Sequence, residues 1–532
     1  MSISASFDVL VVGAGPVGLT LACELARNGV TCRIIDKAAA PVSTSRALMV
    51  FSRTLEVFQM MGMVEPVLAA GHQLAGIAIY NRSAQIGYIG FGALASRYRF
   101  VLSLPQSETE RLLTEHLTRF GKSVEREREL VGLAESSQGI EAVIRDPRGA
   151  EETFKARWVA GCDGARSTVR QLSGLSFEGG AYSEAFVLAD LKLDGPIDPI
   201  HIHLFLTEAR PLGIFPFRNG RFRVIADVEA ESEGGSTGEP TYDEIQEIVR
   251  RRTDVGIRLS DPVWLSRFHI YHRKIPEFRA GRVFLAGDSA HIHSPAGGQG
   301  MNTGIQDVFN LAWKIALVAH GKSPESLLNS YNEEREPVAS LVLNLTDRIT
   351  RVGALHNPIG QQLGNTLLPL VTGMDYVEDR IAETLSEVAI RYRQSSIIAD
   401  KSGKALRAGG RAPDYEFLRG TDRQAIRLYD LLREPMHHLL VFPDTHGGVA
   451  SKNVAVEIAQ NFNGIVKVFL VECAASADSE DVLLDSDGIA GELYDAEPGA
   501  IVLIRPDGYV GFRGNVGHAD ELSSYLAGIF TG

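Results

Sequence analysis

The chain has 532 residues, 45% of them hydrophobic and 22% charged, with a formal net charge of −13. Its length exceeds what one hydrophobic core usually supports, so roughly two to four domains are expected, and the composition excludes a disordered chain. The acidic balance argues against a nucleic-acid partner, whose phosphates need clustered Lys and Arg, and no apolar run reaches the roughly 20 residues of a membrane span.

The N-terminus has no basic region and runs almost directly into "FDVLVVGAG", so no secretory leader is expected. The four cysteines, Cys23, Cys32, Cys162 and Cys473, form no C-x-x-C pair. A zinc ribbon or dithiol centre is therefore not signalled, and a cytoplasmic, reducing location is the default. "DVLVV" reads as a buried parallel strand. Gly13, Gly15 and Gly18 follow at G-x-G-x-x-G spacing, then the helical "LTLACELARNG" and a second strand, "TCRIID". This order suits a dinucleotide: Gly13 allows the tight turn, Gly15 lets backbone approach a pyrophosphate, and Gly18 lets helix and strand pack closely. The helix N-terminus then directs free N–H groups at the phosphates. Asp36, followed by Lys37, stands eighteen residues after Gly18, near the about 20 expected of an acid that binds a ribose hydroxyl. The motif alone leaves FAD and NAD open.

"RWVAGCDGARSTVRQLSG" (Arg157 to Gly174) supplies a short strand, then Asp163-Gly164, then an Arg-rich helix. From about Tyr182 to Arg273 the pattern changes to strands: "EAFVLADLKL", "IHIHLFLT", "PLGIFPF", "RFRVIAD" and "LSRFHIYHR". Alternation places Ile200, Ile202, Leu204 and Leu206 on one face, with His201, His203 and Phe205 on the other. The same rule groups Arg267, His269, Tyr271 and Arg273. "GRVFLAGDSAHIHSPAGGQGMNTG" then repeats strand, acid (Asp288) and a glycine-rich approach to a helix. Such turns suit a polyhydroxyl chain and a ring system, because carboxylates accept from hydroxyls and bare backbone amides reach ring oxygens. His291-x-His293 beside Asp288 lacks a further ligand cluster, so no metal is expected. Neither a G-x-S-x-G elbow nor a P-loop is present. Beyond the turn-rich "AGGRAPDYEF" come "HLLVF", a helix in "ASKNVAVEIAQNF", "IVKVFLVE", a hairpin turning at Pro506-Asp507-Gly508, and a last helix "ADELSSYLAGI". The acidic run "ADSEDVLLDSDGIAGELYDAE" reads as a solvated loop and helix face.

With these pieces in order, the chain resembles the FAD-dependent aromatic hydroxylases of the para-hydroxybenzoate and phenol hydroxylase type. The matching stretches are "VVGAGPVGLTLACELARNGV", "SRALMVFSRTLEVFQMMG", "LPQSETERLLTEHL", "GCDGARSTVR", "GDSAHIHSPAGGQGMNTGIQDVFNLAWKIALV" and "YNEEREPVA". The resemblance implies an α/β fold: a Rossmann-like FAD-binding domain (1–178 and 274–400, the latter with a helical extension), an inserted β-sheet substrate domain (179–273), and a thioredoxin-like C-terminal domain (401–532). Lacking C-x-x-C, that last domain is expected to be redox-inert, with Cys473 a structural thiol.

It also implies roles. Gly13, Gly15, Pro16, Val17 and Gly18 line the pyrophosphate turn; Asp36 and Lys37 meet the adenosine ribose. Arg46 lies beside the flavin, and Gln106 reaches it from a helix start. Asp163 and Gly164 form the motif linked to FAD and the nicotinamide nucleotide, and Asp288 binds the ribityl chain. Pro295, Gly297, Gly298, Gly300, Met301 and Asn302 lie along the isoalloxazine, with Arg46 and Pro295 the residues assigned to catalysis through flavin positioning. The middle sheet roofs the substrate, with His201, His203, Phe215, His269 and Tyr271 as candidate contacts. The implied reaction is hydroxylation of a phenolic or polycyclic aromatic with O2 and NADPH or NADH, through a flavin C4a-hydroperoxide. The base that takes the phenol proton stays open among His201, His203, His269, Tyr271 and Tyr182. Baeyer–Villiger oxidation, epoxidation and a non-catalytic flavin-bound sequestering protein are the competing readings. A homodimer is compatible with the sequence.

Overall fold

The β-branched run at the N-terminus forms β1 (Phe7–Val12), whose last four residues are buried. It lies between two parallel neighbours, β2 (Cys32–Asp36) and Glu151–Gly161, with Val12 level with both Ile35 and Gly161. Buried on both faces, such strands carry the continuous apolar runs seen here. Helix α1 (Pro16–Arg27) connects β1 to β2 and packs against the helix Gly300–Ala319, termed the Gly300 helix. Val283–Leu285 adds a further parallel strand beside Glu151–Gly161. The computed structural model describes residues 7–42, 44, 47–207, 210–228, 238–294, 297–353, 375–444, 448–473 and 479–531.

Among these residues the chain is a mixed α/β fold with three eight-stranded sheets and one three-stranded sheet. The second large sheet contains the five middle segments: Glu178–Asp194, His201–Phe205, Leu212–Pro216, Arg221–Val228 and Arg258–Lys274. It also recruits the hairpin Gly76–Asn81/Ala84–Gly90, which the sequence reading left within the first unit; His201–Phe205 pairs with it in parallel. One face of this sheet is sealed by the helix Tyr242–Thr253, with Ile214, Val224, Ala226, Ile245 and Val249 in a common core.

The third sheet is built from the tail. His437–Val441 lies between Val466–Glu472, parallel, and Ala500–Ile504, antiparallel; the latter forms a hairpin with Val510–Asn515. The acidic run is not wholly solvated: Val482–Leu484 is a buried strand, and Asp485 accepts the Ala490 and Gly491 amides at 3.0 and 2.9 Å. Apolar residues one strand long inside an acidic stretch give periodicity too little length to register. Cys473 is exposed rather than packed, whereas Cys23, Cys32 and Cys162 are buried; all four are free thiols. No helix among the described residues is long and apolar enough to cross a membrane.

Candidate active site

Three turns meet at the carboxyl ends of β1, Glu151–Gly161 and Val283–Leu285. Gly13 has φ +101°, and a Cβ there would lie 2.4 Å from the Cys162 carbonyl oxygen. A Cβ on Gly18 would lie 1.9 Å from the Gly13 carbonyl. Gly15 differs: no atom lies within 4 Å of its Cβ position, so this residue faces open space. The three glycines thus divide turn, access and packing as a pyrophosphate cradle requires. Helix α1 starts at Pro16, and no side chain caps its first amides; such unpaired donors suit an anion. Asp36 accepts the Ala14 amide on one oxygen and the Ala38 amide on the other, both at 2.7 Å. It therefore fixes the turn as well as facing its mouth. Lys37 beside it is exposed.

The Asp163 carboxylate accepts the Ser167 hydroxyl (2.5 Å) and the Thr168 amide (2.6 Å), capping the short helix that follows. Arg170 on that helix donates to the Ser289 carbonyl at 3.0 Å, and the Ser289 hydroxyl donates to the Gly161 carbonyl at 2.5 Å. The second and third motifs are locked together by these bonds. Gly287, at φ +59°, abuts Val17, and a Cβ on Gly304 would come within 2.8 Å of Val17 and 3.0 Å of the Gly287 Cα. Asp288 is exposed at this junction.

The Gly300 helix opens behind Gly297 and Gly298, both at positive φ, and no side chain caps its N-terminus. Fully buried Asn302 clamps the neighbouring strand: its oxygen accepts the Phe51 amide (3.0 Å) and its nitrogen donates to the Met49 carbonyl (2.9 Å). The Gln106 amide donates to the Ala47 carbonyl, bringing the start of helix Gln106–Thr118 to the same segment. Met301 is buried in the core under the turn. Arg46 and Pro295 lie outside the described residues, as does the side chain of Tyr182. The orphaned Nε2 of His293, 3.4 Å from the Cβ position of Gly300, and the orphaned Oε1 of Gln299 add unpaired buried polar atoms beside this turn. Open cradle, uncapped helix ends and orphaned polar atoms fit a dinucleotide cofactor with a flat ring.

The open face of the second sheet lies over this turn. Register puts Leu204 level with Gly213, Phe215 with Arg223, and Arg223 with Asp190. Ile202, Leu204, Phe215 and Phe217 pack with Met49, Phe51 and Leu385 around the turn. Phe186, Trp264 and Phe268 continue the apolar face. Arg223 is buried within it, bonded to both oxygens of Asp190 at 2.7 and 2.8 Å and placed over the Phe217 and Trp264 rings. Of the candidate substrate contacts, only Phe215 stands on this face. His201 and His203 point the other way: His201 bonds the Asp198 carboxylate (2.8 Å), and His203 bonds the Asp198 carbonyl (2.7 Å) and stacks on Tyr80. His269 is exposed on that opposite side, and Tyr271 lies under Arg273. Alternation separates the faces of a strand without saying what covers each. Arg223 and Asp190 were passed over, although a charge at an apolar-face position of a strand was a signal for them.

Behind the turn, the Gly300 helix carries a wholly buried polar stripe: Asn302, Thr303, Gln306, Asp307, Asn310, Trp313 and Lys314. Asp307 accepts the Gly287 amide (3.1 Å), His291 (2.7 Å) and Arg335 (2.8 Å). Burial raises its carboxyl, but Arg335 and His291 outweigh that and hold it below the usual range. His291 is thus occupied by a carboxylate, and no group of three or more possible metal ligands occurs among the described residues. Further along, Lys314 and Asn310 donate to Glu334, which also takes a bidentate Arg505 at 2.5 and 2.9 Å. Asp507 accepts from Trp313 and Asn310. The tip of the tail hairpin therefore sits inside the network that holds the helix.

Residues 6–346 match the FAD binding domain family model, and residues 406–531 match the aromatic-ring hydroxylase C-terminal model. A 6-methylpretetramide 4-monooxygenase from Streptomyces rimosus is 35% identical, covering 98% of this chain and 93% of its own. A pentachlorophenol 4-monooxygenase from Sphingobium chlorophenolicum is 33% identical over 98% and 96%. The solved structure of OxyS anhydrotetracycline hydroxylase from Streptomyces rimosus superposes with a TM-score of 0.78 at 27% identity, covering 99% of both chains. The chain belongs to this FAD-binding family. It is an FAD-dependent aromatic monooxygenase.

Proposed function

We propose that the chain hydroxylates a polycyclic phenol held flat between the Gly297–Asn302 turn and the open face of the second sheet, with O2 as co-substrate and NADPH or NADH as reductant. The single observation carrying this reading is the asymmetry of that sheet. On its sealed face, Ile214, Val224 and Ala226 are 0 to 1% exposed. On its other face, Phe215 and Phe217, clustered with Met49 and Phe51 beside the turn, remain only half-buried, as do Phe186, Ile225 and Trp264 further along the same face. An aromatic wall of several rings suits a fused-ring substrate better than a small phenol. The names of two relatives, which carry 6-methylpretetramide and pentachlorophenol, support the polycyclic and phenolic classes respectively.

FAD, when bound, supplies hydride acceptance and the activation of O2 for transfer to an electron-rich ring carbon. The protein's own part is binding, orientation and exclusion of water. Gly13, Gly15 and Gly18 with the amides after Pro16 and Val17 receive the pyrophosphate; Asp36 and Lys37 face the adenosine ribose. Asp163, Gly164 and Asp288 border the junction of the motifs, where the ribityl chain and the nicotinamide nucleotide approach. Gly297, Gly298 and the open amides of Gly300, Met301 and Asn302 present partial positive charge to the ring edge. Gln106 stands at the start of its helix beside this segment, and Arg46 and Pro295 are assigned to flavin positioning. Arg223, neutralised by Asp190, braces the Phe217 and Trp264 rings as a dry lid over the substrate.

The test is substrate-dependent oxidation of NADPH and NADH by the flavin-loaded protein, across single-ring and fused-ring phenols, with peroxide assayed in parallel. A product heavier by one oxygen atom with its rings intact supports hydroxylation. Ring expansion would indicate Baeyer–Villiger chemistry, and no substrate-dependent turnover on any phenol would overturn the reading.

A further inference from the structure

We propose that Glu387 is a positioning residue that tunes the flavin: its buried carboxyl, bonded to the first two turns of the Gly300 helix, gains a proton as the flavin facing that helix is reduced. This rests on the reading above that the helix N-terminus faces the ring.

Glu387 lies two residues beyond the helix Asp375–Leu385 and is 2% exposed. One carboxyl oxygen accepts the Thr303 hydroxyl at 2.6 Å; the other accepts the Gln306 side-chain amide. Its backbone holds φ +60°, a left-handed conformation that is uncommon for a residue with a side chain and persists where its surroundings enforce it. Those surroundings are visible. The Arg53 amide donates to the Ser386 carbonyl at 3.3 Å, and Gln299 donates to the carbonyls of Thr384 and Leu385. The segment is tied to the residue just before the Gly300 helix and to the first turns of that helix.

Charges around the carboxyl come from two elements. Arg335, on the helix Ser330–Gly353, and Asp307, on the Gly300 helix, oppose each other and are bonded together. From the remaining neighbours, the Arg53 guanidinium is taken by Glu56 and the Asp507 carbonyl, His291 by Asp307, and Tyr392 is kept neutral by burial. No Lys, Arg or His nitrogen among the described residues forms an ion pair with Glu387. Burial pushes its carboxyl up to about 7, against the pull of Thr303, Arg335 and Gln306.

The electron balance is simple. A nicotinamide nucleotide gives a hydride and becomes its cation; the oxidised flavin gains two electrons and one hydrogen and becomes an anion. That new negative charge repels an ionised Glu387 in a site of low dielectric, and raises its proton affinity. The proton comes from solvent, so no other reductant or oxidant is needed.

The experiment measures the midpoint potential of the FAD-loaded protein against pH, by dye equilibration, for wild type and Glu387→Gln. The expected wild-type line steepens to twice the one-proton slope above neutrality, while Glu387→Gln keeps one slope throughout. At alkaline pH the variant holds a reduced-to-oxidised ratio higher on the order of tenfold at equal potential, about 30 mV for a two-electron couple; at acid pH the two agree. Thr303→Ala, which removes a donor to the carboxylate, moves the steep segment to higher pH, and Thr303→Ser moves it back; this pair carries the test should Glu387→Gln fail to fold. Identical slopes in wild type and Glu387→Gln, both yellow, overturn the proposal and leave the enzyme's function standing. Failure of the wild type to bind FAD removes both.

Discussion

Two tight turns of this molecule share their chemistry and do opposite work. The Gly13–Gly18 turn and the Arg505–Tyr509 hairpin tip each place a glycine at positive φ, Gly13 at +101° and Gly508 at +76°. Around Gly15 the first turn leaves open space and uncapped amides. The second is filled. Asp507 is 2% exposed, its side chain taken by Arg505, Asn310 and Trp313 and its carbonyl by Arg53 at 2.6 Å. A glycine turn is therefore a ligand cradle or an interdomain plug according to what surrounds it. The tail domain's connection to the cofactor helix is made through the plug.

Substitutions at the two turns should separate these roles. The largest effect is expected from Gly18→Ala, because the new Cβ would stand 1.9 Å from the Gly13 carbonyl. Purified protein should be colourless after incubation with FAD, or insoluble. At the plug, Arg505→Met strips Glu334 of its bidentate partner, and breaking a buried pair costs about 3–5 kcal/mol. Chemical denaturation should show that loss, and the double variant Arg505→Met/Asp507→Asn should recover part of it by removing both charges together.

Next in size is a pH effect on the flavin-free protein. The folded Glu387 carboxyl is raised from 4.5 to about 7, so between those values the folded state binds more protons than the unfolded state. Its contribution is complete below the unfolded value and is lost as pH rises toward the folded one, at most on the order of 3 kcal/mol. Glu387→Gln should abolish this component, seen as unfolding midpoints of wild type and variant that diverge toward neutral pH. Gly15→Ala should weaken FAD binding on the order of tenfold, about 1.4 kcal/mol, while leaving the unfolding midpoint of the apoprotein unchanged, since its Cβ meets nothing. The smallest contrast lies across the second sheet. Phe215→Ala should raise KM a few-fold and increase peroxide leakage, whereas His201→Ala, on the opposite face, should change neither.

Much of the architecture was legible because it is written in local order. Apolar β-branched runs, 3.6-residue periodicity and glycine spacing placed β1, α1, β2, the middle strands and the tail elements, including the hairpin turning at Pro506-Asp507-Gly508. The acidic run misled because Val482–Leu484 is too short a strand to register against its charged neighbours. Glu387 left no trace, since "ETLSEVA" reads as an ordinary helix end.

By itself the sequence determined the dinucleotide turn and the chain order of the motifs, since each rests on steric limits acting within a few residues; FAD rather than NAD followed only from the resemblance carried by the whole set of motifs. Only the tertiary structure decided which face of the second sheet looks onto the Gly297–Asn302 turn, so that Phe215 stands on that face and His201 and His203 do not. It alone buried Asp507 against Trp313, 194 residues away. Period-two alternation is unchanged when a sheet is turned over, and a turn's own residues do not record what closes around them. Those choices belong to packing between distant segments.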